Sequence, residues 1–410
     1  MGFLCNGPMR LRPSQTRTYK IPIRQKIPHP CYCLRALRSV RIQCSRPRNE
    51  LPHTVVVSPL SERNLMLPHL PPSTDPTALF DLVRGNFQTE LLACAQELGI
   101  FARLGKGPAS EEELRMELGL AHRPFTVLTC AMRAMNLLHG LPGAELRLTE
   151  LGRFLVPGYT YDITGYVGLT SQLPGVQHLL EQLRNDKPGD NRPGEGRAFI
   201  YREGMDSAME DASTARRLTL ALSGRAAICA PALASILPLE RVTRLLDLGG
   251  GSGIYSVALA RANPLLQVTL LDRPSVLETA SDLLHGEPGA DRVQLLAGDL
   301  FHTYPKTEAI LLSNVLHDWD LPMNHEILTR CHEALPEGGR VFIHDVFLND
   351  GLDGPLPEAM YSAALYSLTE GRAYSRAEYR GMLRAAGFVP TSTTPPTAVH
   401  CGVLAAIKAN

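Results

Sequence analysis

The chain has 410 residues, too many for one ordinary compact domain and enough for two, and its 44% hydrophobic residues can build a sizeable core. No run approaches the roughly 20 uninterrupted apolar residues of a membrane span, so none is expected. Although 41 basic and 41 acidic residues cancel, residues 1–50 hold 11 of the bases and one acid, Glu50, leaving 30 bases and 40 acids beyond. An acidic body does not displace counterions from a polyanion, which argues against a nucleic-acid partner.

Residues 1–74 mix Arg, Pro and Cys without periodicity and end in Leu67-Pro68-His69-Leu70-Pro71-Pro72, the texture of a disordered basic leader. An organelle transit peptide and a start codon placed too far upstream both fit it; the expected compartment is the cytoplasm. Cys31, Cys33 and Cys44 lack the His/Cys partners of a familiar zinc spacing, and the later cysteines are scattered, so no metal site and no disulfide framework are expected.

From 75 to 165 the pattern is helical. Apolar residues recur at helical spacing over 77–98, Ser110 caps a second helix at Glu111-Glu112-Glu113, and a third runs over 124–138. Gly140-Leu141-Pro142-Gly143 and Leu146-Arg147-Leu148-Thr149 then suggest a small β-wing followed by a helix over 148–155, the order of a winged helix. Its recognition helix would be 124–132, which is apolar where a reader of bases would be polar, so burial in a subunit interface is expected rather than DNA contact. Residues 166–240 read as helical linker and pocket wall, with helices over 168–183 and 208–237 around a Gly/Pro/Asp-rich loop.

Beyond 241 apolar runs alternate with helical stretches. Strands are predicted at 244–248, 267–271, 293–297, 309–314 and 340–346, the repeat of a mostly parallel Rossmann-like α/β sheet, with 388–393 and 403–408 as an antiparallel pair at its edge.

The chemistry collects at the strand ends. Gly249, Gly251 and Gly253 follow a strand carrying Asp247 and precede a helix, so the backbone can approach a nucleotide-like ligand. The third glycine of a dinucleotide fingerprint would stand at 254, which is Ile254, and this favours S-adenosylmethionine over NAD. Asp272 ends the second strand, where a carboxylate reaches ribose hydroxyls, and Asp299 the third, beside Leu300 and Phe301, where adenine would lie. The fourth strand, with Ser313, leads into His317-Asp318-Trp319-Asp320. A neutral imidazole there can take the proton of a phenol with a pKa near ~10, which makes His317 the candidate general base. Asp345, ending the fifth strand, is placed to accept the other ring N–H; His344 alternates to the opposite side and reads as structural.

With Leu-Asp-Leu-Gly-Gly-Gly-Ser-Gly, Leu-Leu-Asp-Arg-Pro, Ala-Gly-Asp-Leu-Phe and Leu-His-Asp-Trp-Asp in this order, the sequence resembles the small-molecule O-methyltransferases related to plant caffeate and acetylserotonin enzymes and to bacterial pigment and antibiotic enzymes. The resemblance spans about 76–408. It implies a homodimer built on the winged-helix domain, S-adenosylmethionine as cofactor in the sheet domain and a small-molecule acceptor between the two. It implies His317 and Asp345 as catalytic residues, with Gly249, Asp272, Asp299 and Leu300 as donor contacts; Asp247, Gly251, Gly253, Phe301 and Ser313 complete the expected donor site. The chain departs from many plant members at Ser313, where they carry Lys, and at Ala373, near their second late acid.

The leading expectation is methyl transfer to a hydroxyl of an aromatic or polyketide-like acceptor, with Met205, Met209, Met360, Tyr361 and Tyr366 as candidate pocket contacts. C-methylation of a tetrapyrrole or pigment within the same fold, a regulator that senses S-adenosylmethionine without turnover, and an NAD oxidoreductase are the competing readings.

Overall fold

A computed structural model describes residues 67–187, 200, 210–393 and 395–409. The leader up to 66, with its four cysteines, and the segment holding Met205 and Met209 lie outside the described residues. Residues 67 and 68, assigned by pattern to the leader, are tied to the body: the Leu67 amide donates to Glu287 and the Pro68 carbonyl accepts from Arg261, both at 2.9 Å.

Helices α1 (Thr77–Val83), α2 (Asn86–Glu97) and α3 (Ile100–Leu104) open the described chain. The single helix expected over 77–98 is broken at 84–85, where Arg84 and Gly85 bond back to carbonyls of α1. Strand β1 (Ala109–Ser110) leads into α4 (Glu111–Leu118), whose first turn is capped as expected: Ser110 Oγ accepts from the Glu113 amide at 3.1 Å. Helix α5 (His122–Ala134) stops short of the predicted 138 because Asn136 takes a left-handed φ of 57°, and the chain turns into β2 (Leu138–His139) and β3 (Glu145–Leu148). These strands form a three-stranded antiparallel sheet, β1-β3-β2, and the wing is followed by a 3-10 turn at Gly152–Leu155 rather than a helix.

Next come α6 (Thr164–Gly168), α7 (Pro174–Asn185) and α8 (Ala212–Ile236). At 25 residues α8 is long and apolar enough, by length and composition alone, to cross a membrane, which the run-length reading did not anticipate. It carries Arg216, Arg217 and Arg225, and it lays Ala226, Cys229, Ala230 and Leu233 into a core shared with the sheet.

The remainder runs β4 (Arg244–Leu248), α9 (Ile254–Ala262), β5 (Gln267–Asp272), α10 (Pro274–Leu284), β6 (Val293–Ala297), β7 (Ala309–Ser313), α11 (Leu321–Ala334), β8 (Arg340–Leu348), α12 (Leu356–Leu368), β9 (Tyr374–Ser375), α13 (Arg376–Ala385), β10 (Phe388–Thr393) and β11 (Cys401–Lys408). All seven predicted strands are present within two residues of their expected ends. The sheet order is β10-β11-β8-β7-β4-β5-β6, parallel from β8 to β6, antiparallel where β11 pairs with β8 and β10, and with β9 added beside β8. Apolar runs such as Ala309–Leu312, fully buried, mark strands covered on both faces. Because β4 lies between β5 and β7, the strand order reverses there, and a crevice opens at the carboxyl ends of these strands.

One expectation is corrected by packing. The apolar residues 124–133 of α5 are buried without a second subunit, in a core that also takes Leu91 and Val176 from α2 and α7 and Met360 and Ala363 from α12. The surface that covers the would-be recognition helix comes from α12, more than 200 positions later in the chain.

Candidate active site

The crevice is a cleft of about 1190 Å³, open mouth included, walled by the ends of β4, β5, β6 and β7 together with α8. Its floor is the glycine turn. Gly251 has a φ of 57° with nothing within 4 Å of where a Cβ would stand, so the backbone there is bare toward the cleft. Its amide donates to Asp272 Oδ2 at 2.8 Å, and the second oxygen of Asp272 accepts from the Arg273 amide at 2.7 Å. Asp272 thus props the turn that lies above it while lining the cleft, and burial raises its pKa above the ordinary carboxylate value.

Gly249, Gly251, Asp272, Asp299, Leu300, Phe301 and Ser313 all line this one cleft. Asp299 Oδ1 accepts from the Phe301 amide at 2.8 Å, and its Oδ2 lies 3.6 Å from Arg273. Phe301 meets Trp319 edge to face at 5.1 Å, forming an apolar wall with Leu300 and Val315. Ser313 Oγ shares a hydrogen bond with His344 Nδ1 at 2.8 Å, and His344 Nε2 reaches Thr397 at 2.9 Å. Burial pushes the His344 pKa down to about 3, so it is a neutral brace between strands.

Two expected donor contacts do not line the cleft. Asp247 is fully buried beneath the turn, where its carboxylate accepts from Ser256 Oγ at 2.5 Å, and burial pushes its pKa up to about 7. Gly253 caps α9 with a φ of 75°, and a Cβ there would stand 2.7 Å from Leu284. Both shape the turn from behind: Asp247 reaches into α9, and Gly253 packs against Leu284 and Leu270, while Gly249–Ser252 face the cleft.

His317 sits on a 3-10 turn after β7, 4% exposed. Its Nδ1 lies 2.6 Å from Asp345 Oδ1, and Asp345 in turn accepts from the Val346 amide at 2.8 Å and from Tyr379 Oη at 2.9 Å. A buried aspartate fixed by two further donors selects the tautomer with its proton on Nδ1 and leaves Nε2 as the basic nitrogen. Among the described residues Nε2 has no hydrogen-bond partner, and it is 3.6 Å from Asp318 Oδ1. Burial opposes charge on the imidazole, but the carboxylates of Asp345 and Asp318 outweigh it, so the His317 pKa is raised above its ordinary value. Asp345 is itself held below the usual carboxylate range, burial being overcome by His317 and its hydrogen bonds, whereas burial pushes Asp318 up to about 6. His317 is not among the lining residues, but its neighbours Val315, Asp318 and Trp319 are.

The chain as a whole is similar to known proteins. A family model described as an O-methyltransferase domain matches residues 178–389. The 3-hydroxy-5-methyl-1-naphthoate 3-O-methyltransferase of Streptomyces sahachiroi is 34% identical over 83% of this chain and 97% of its own. The chain belongs to the O-methyltransferase family. An L-tyrosine C(3)-methyltransferase of Streptomyces lavendulae is 30% identical over 73% of this chain and 83% of its own. Among solved structures, an O-methyltransferase family 2 protein of Planctomyces limnophilus in complex with apigenin is 39% identical, covering 83% of this chain and 98% of that one, with a TM-score of 0.74.

The methyltransferase takes its methyl group from S-adenosylmethionine, and the cleft suits that donor: a bare glycine turn, the Asp272 carboxylate at the end of β5 and an apolar wall of Leu300, Phe301 and Trp319. The regulator and NAD readings fall with the family assignment. The motif-based reading passed over three residues. Asp318 was read only as part of a motif; Asn314, with a left-handed φ of 56°, and Arg225, on α8, were not singled out although both line the cleft. The cap of α11 is Asp320, not Asp318, and nothing local flags either Asp318 or Arg225.

Proposed function

We propose that this methyltransferase transfers the methyl group to a hydroxyl of a small aromatic acceptor, with His317 as general base and Asp345 as the residue that orients it. The observation that carries the reading is the 2.6 Å contact between His317 Nδ1 and Asp345, with Nε2 beside the cleft wall and, among the described residues, without a hydrogen bond. S-adenosylmethionine supplies an electrophilic methyl on sulfur. Gly249, Gly251 and Asp272 would hold its nucleoside and amino-acid portions, and Leu300 and Phe301 would flank its base. His317 Nε2 would take the proton of the acceptor hydroxyl as its oxygen accepts the methyl group, with S-adenosylhomocysteine as the leaving group. Asp345 stabilises the imidazolium that results, and the apolar wall excludes water.

Replacing His317 by Asn tests this. We expect turnover of a hydroxynaphthoate to fall by about 10²- to 10⁴-fold with S-adenosylhomocysteine affinity unchanged; unchanged turnover would overturn the assigned base.

The tyrosine C-methyltransferase among the relatives favours a second reading, transfer to the ring carbon beside a phenol, which the same base would activate. Proton NMR of the product separates the two, since a methyl on oxygen and one on an aromatic ring carbon resonate far apart. We also propose that the helical region over 75–165 pairs two copies of the chain: Leu79, Leu82 and Val83 of α1 and Tyr161, Tyr166 and Leu169 around α6 are more than 60% exposed. Light scattering showing a monomer at micromolar concentration would refute it.

A further inference from the structure

Arg225 enters the cleft from α8 with no acid beside it among the described residues. Its Nη1 donates to Asn314 Oδ1 at 2.8 Å and to Tyr361 Oη at 3.2 Å, its Nη2 donates to Cys401 Sγ at 3.0 Å, and its buried Nε has no hydrogen-bond partner among those residues. All of these partners are neutral: burial pushes the Tyr361 phenol up to about 12, and the hydrogen bond with Cys229 together with burial raises the Cys401 thiol. A second guanidinium, that of Arg84, stacks at 4.3 Å on the same Tyr361 ring, over which Arg225 also lies at 5.2 Å, and it has no ion pair among the described residues. The nearest acid in sequence, Asp81, is engaged by His400 at 2.8 Å.

The two most buried arginines among the described residues are paired differently. Arg133 and Arg372, 6% and 3% exposed, are each paired with a carboxylate, Glu111 and Glu378. A guanidinium taken out of water without a counter-ion is costly, and two that face one ring repel each other as well. A cost kept at the wall of a ligand cleft is relieved when the ligand brings the missing charge. The position is specific: Asn314 is three residues before His317, and Tyr361 meets the His317 ring edge to face at 5.7 Å, so Arg225 lines the cleft at the end nearest His317.

We propose that Arg225 binds a carboxylate of a small ligand in this cleft, with Arg84 reinforcing the field from across Tyr361. The inference rests on the reading of the cleft given under Proposed function. Two ligands could bring that carboxylate: the amino-acid end of the methyl donor, or an aromatic hydroxy-acid acceptor. A planar guanidinium suits either, because it can give two parallel N–H donors once Nη1 or Nη2 turns from its neutral partner.

The test is calorimetry on the full chain with two ligand pairs: S-adenosylhomocysteine against its analogue lacking the α-carboxylate, and, with S-adenosylhomocysteine bound, 3-hydroxy-2-naphthoate against 2-naphthol. We expect the wild type to prefer the carboxylate-bearing member of at least one pair by about 10- to 100-fold, Arg225→Gln to remove that preference and Arg225→Lys to keep part of it. Loss confined to the first pair assigns the carboxylate to the donor, and loss confined to the second to the acceptor. A wild type without preference in either pair overturns the proposal, as does a variant that weakens both members of a pair equally. Should Arg225→Gln not fold, an unchanged preference in Arg225→Lys is the overturning result. Since no turnover is read, absence of methyl transfer alongside an Arg225-dependent preference would sink the functional reading and leave this one standing.

Discussion

His317 is charged or neutral according to its neighbours, and the sign of that effect sets the pH dependence. Asp345 and Asp318 outweigh burial and raise its proton affinity, so the neutral base forms only above the ordinary imidazole value of about 6.5. The acid limb of kcat/KM is therefore expected above that value. In Asp345→Asn the largest favourable influence on the imidazolium is gone and the limb should move to lower pH, while kcat falls by about 10²- to 10⁴-fold through loss of tautomer control. A limb that stays in place would show that another group titrates. The same sign governs stability: the raised His317 pKa contributes stability that is complete below the unfolded value and is lost as pH rises through the folded one. Two positions at this scale could be read in the sequence because each follows a strand: His317 after the fourth and Asp345 on the fifth. Asp318 could not, since its closeness to Nε2 depends on how the 3-10 turn closes after Val315.

At the scale of elements, the glycine turn and the segment after α12 hold the site in place. The positive φ of Gly253 and the 2.7 Å approach of Leu284 to its absent Cβ leave no room for a side chain. Gly253→Ala should cost about 1–3 kcal/mol in denaturant unfolding and weaken S-adenosylhomocysteine binding, because α9 must shift from the turn it caps. Gly371 is tighter still. A Cβ there would fall 2.2 Å from the His317 carbonyl and 2.6 Å from the Trp319 amide, so Gly371→Ala should displace the base and reduce kcat more than donor affinity; equal losses in both would point to general unfolding instead. The strands were legible as buried apolar runs. The break after α1 and the early end of α5 were not, because helical periodicity continues through 84–85 and 134–138 and only backbone turns interrupt it.

Across the whole molecule, the helical region and the sheet share one core, since α12 packs under α5 while β8 brings Val346 and Leu348 to the same cluster. Leu128→Ala, at a fully buried position of α5, should lose about 2–5 kcal/mol and lower the temperature of a single cooperative transition rather than melt the helical region alone. Two separate transitions in calorimetry would refute that coupling. The sequence by itself determined the order of strands and helices, the glycine turn, the acids at the strand ends and the histidine after the fourth strand, because these are local patterns read along one stretch of chain. Tertiary structure alone decided that α5 is covered by α12, that Asp247 and Gly253 stand behind the turn instead of facing the cleft, and that Arg225 meets Asn314, 89 positions away, with no acid at hand among the described residues. Burial and charge pairing depend on which surfaces meet, and no local pattern of residues records the partner.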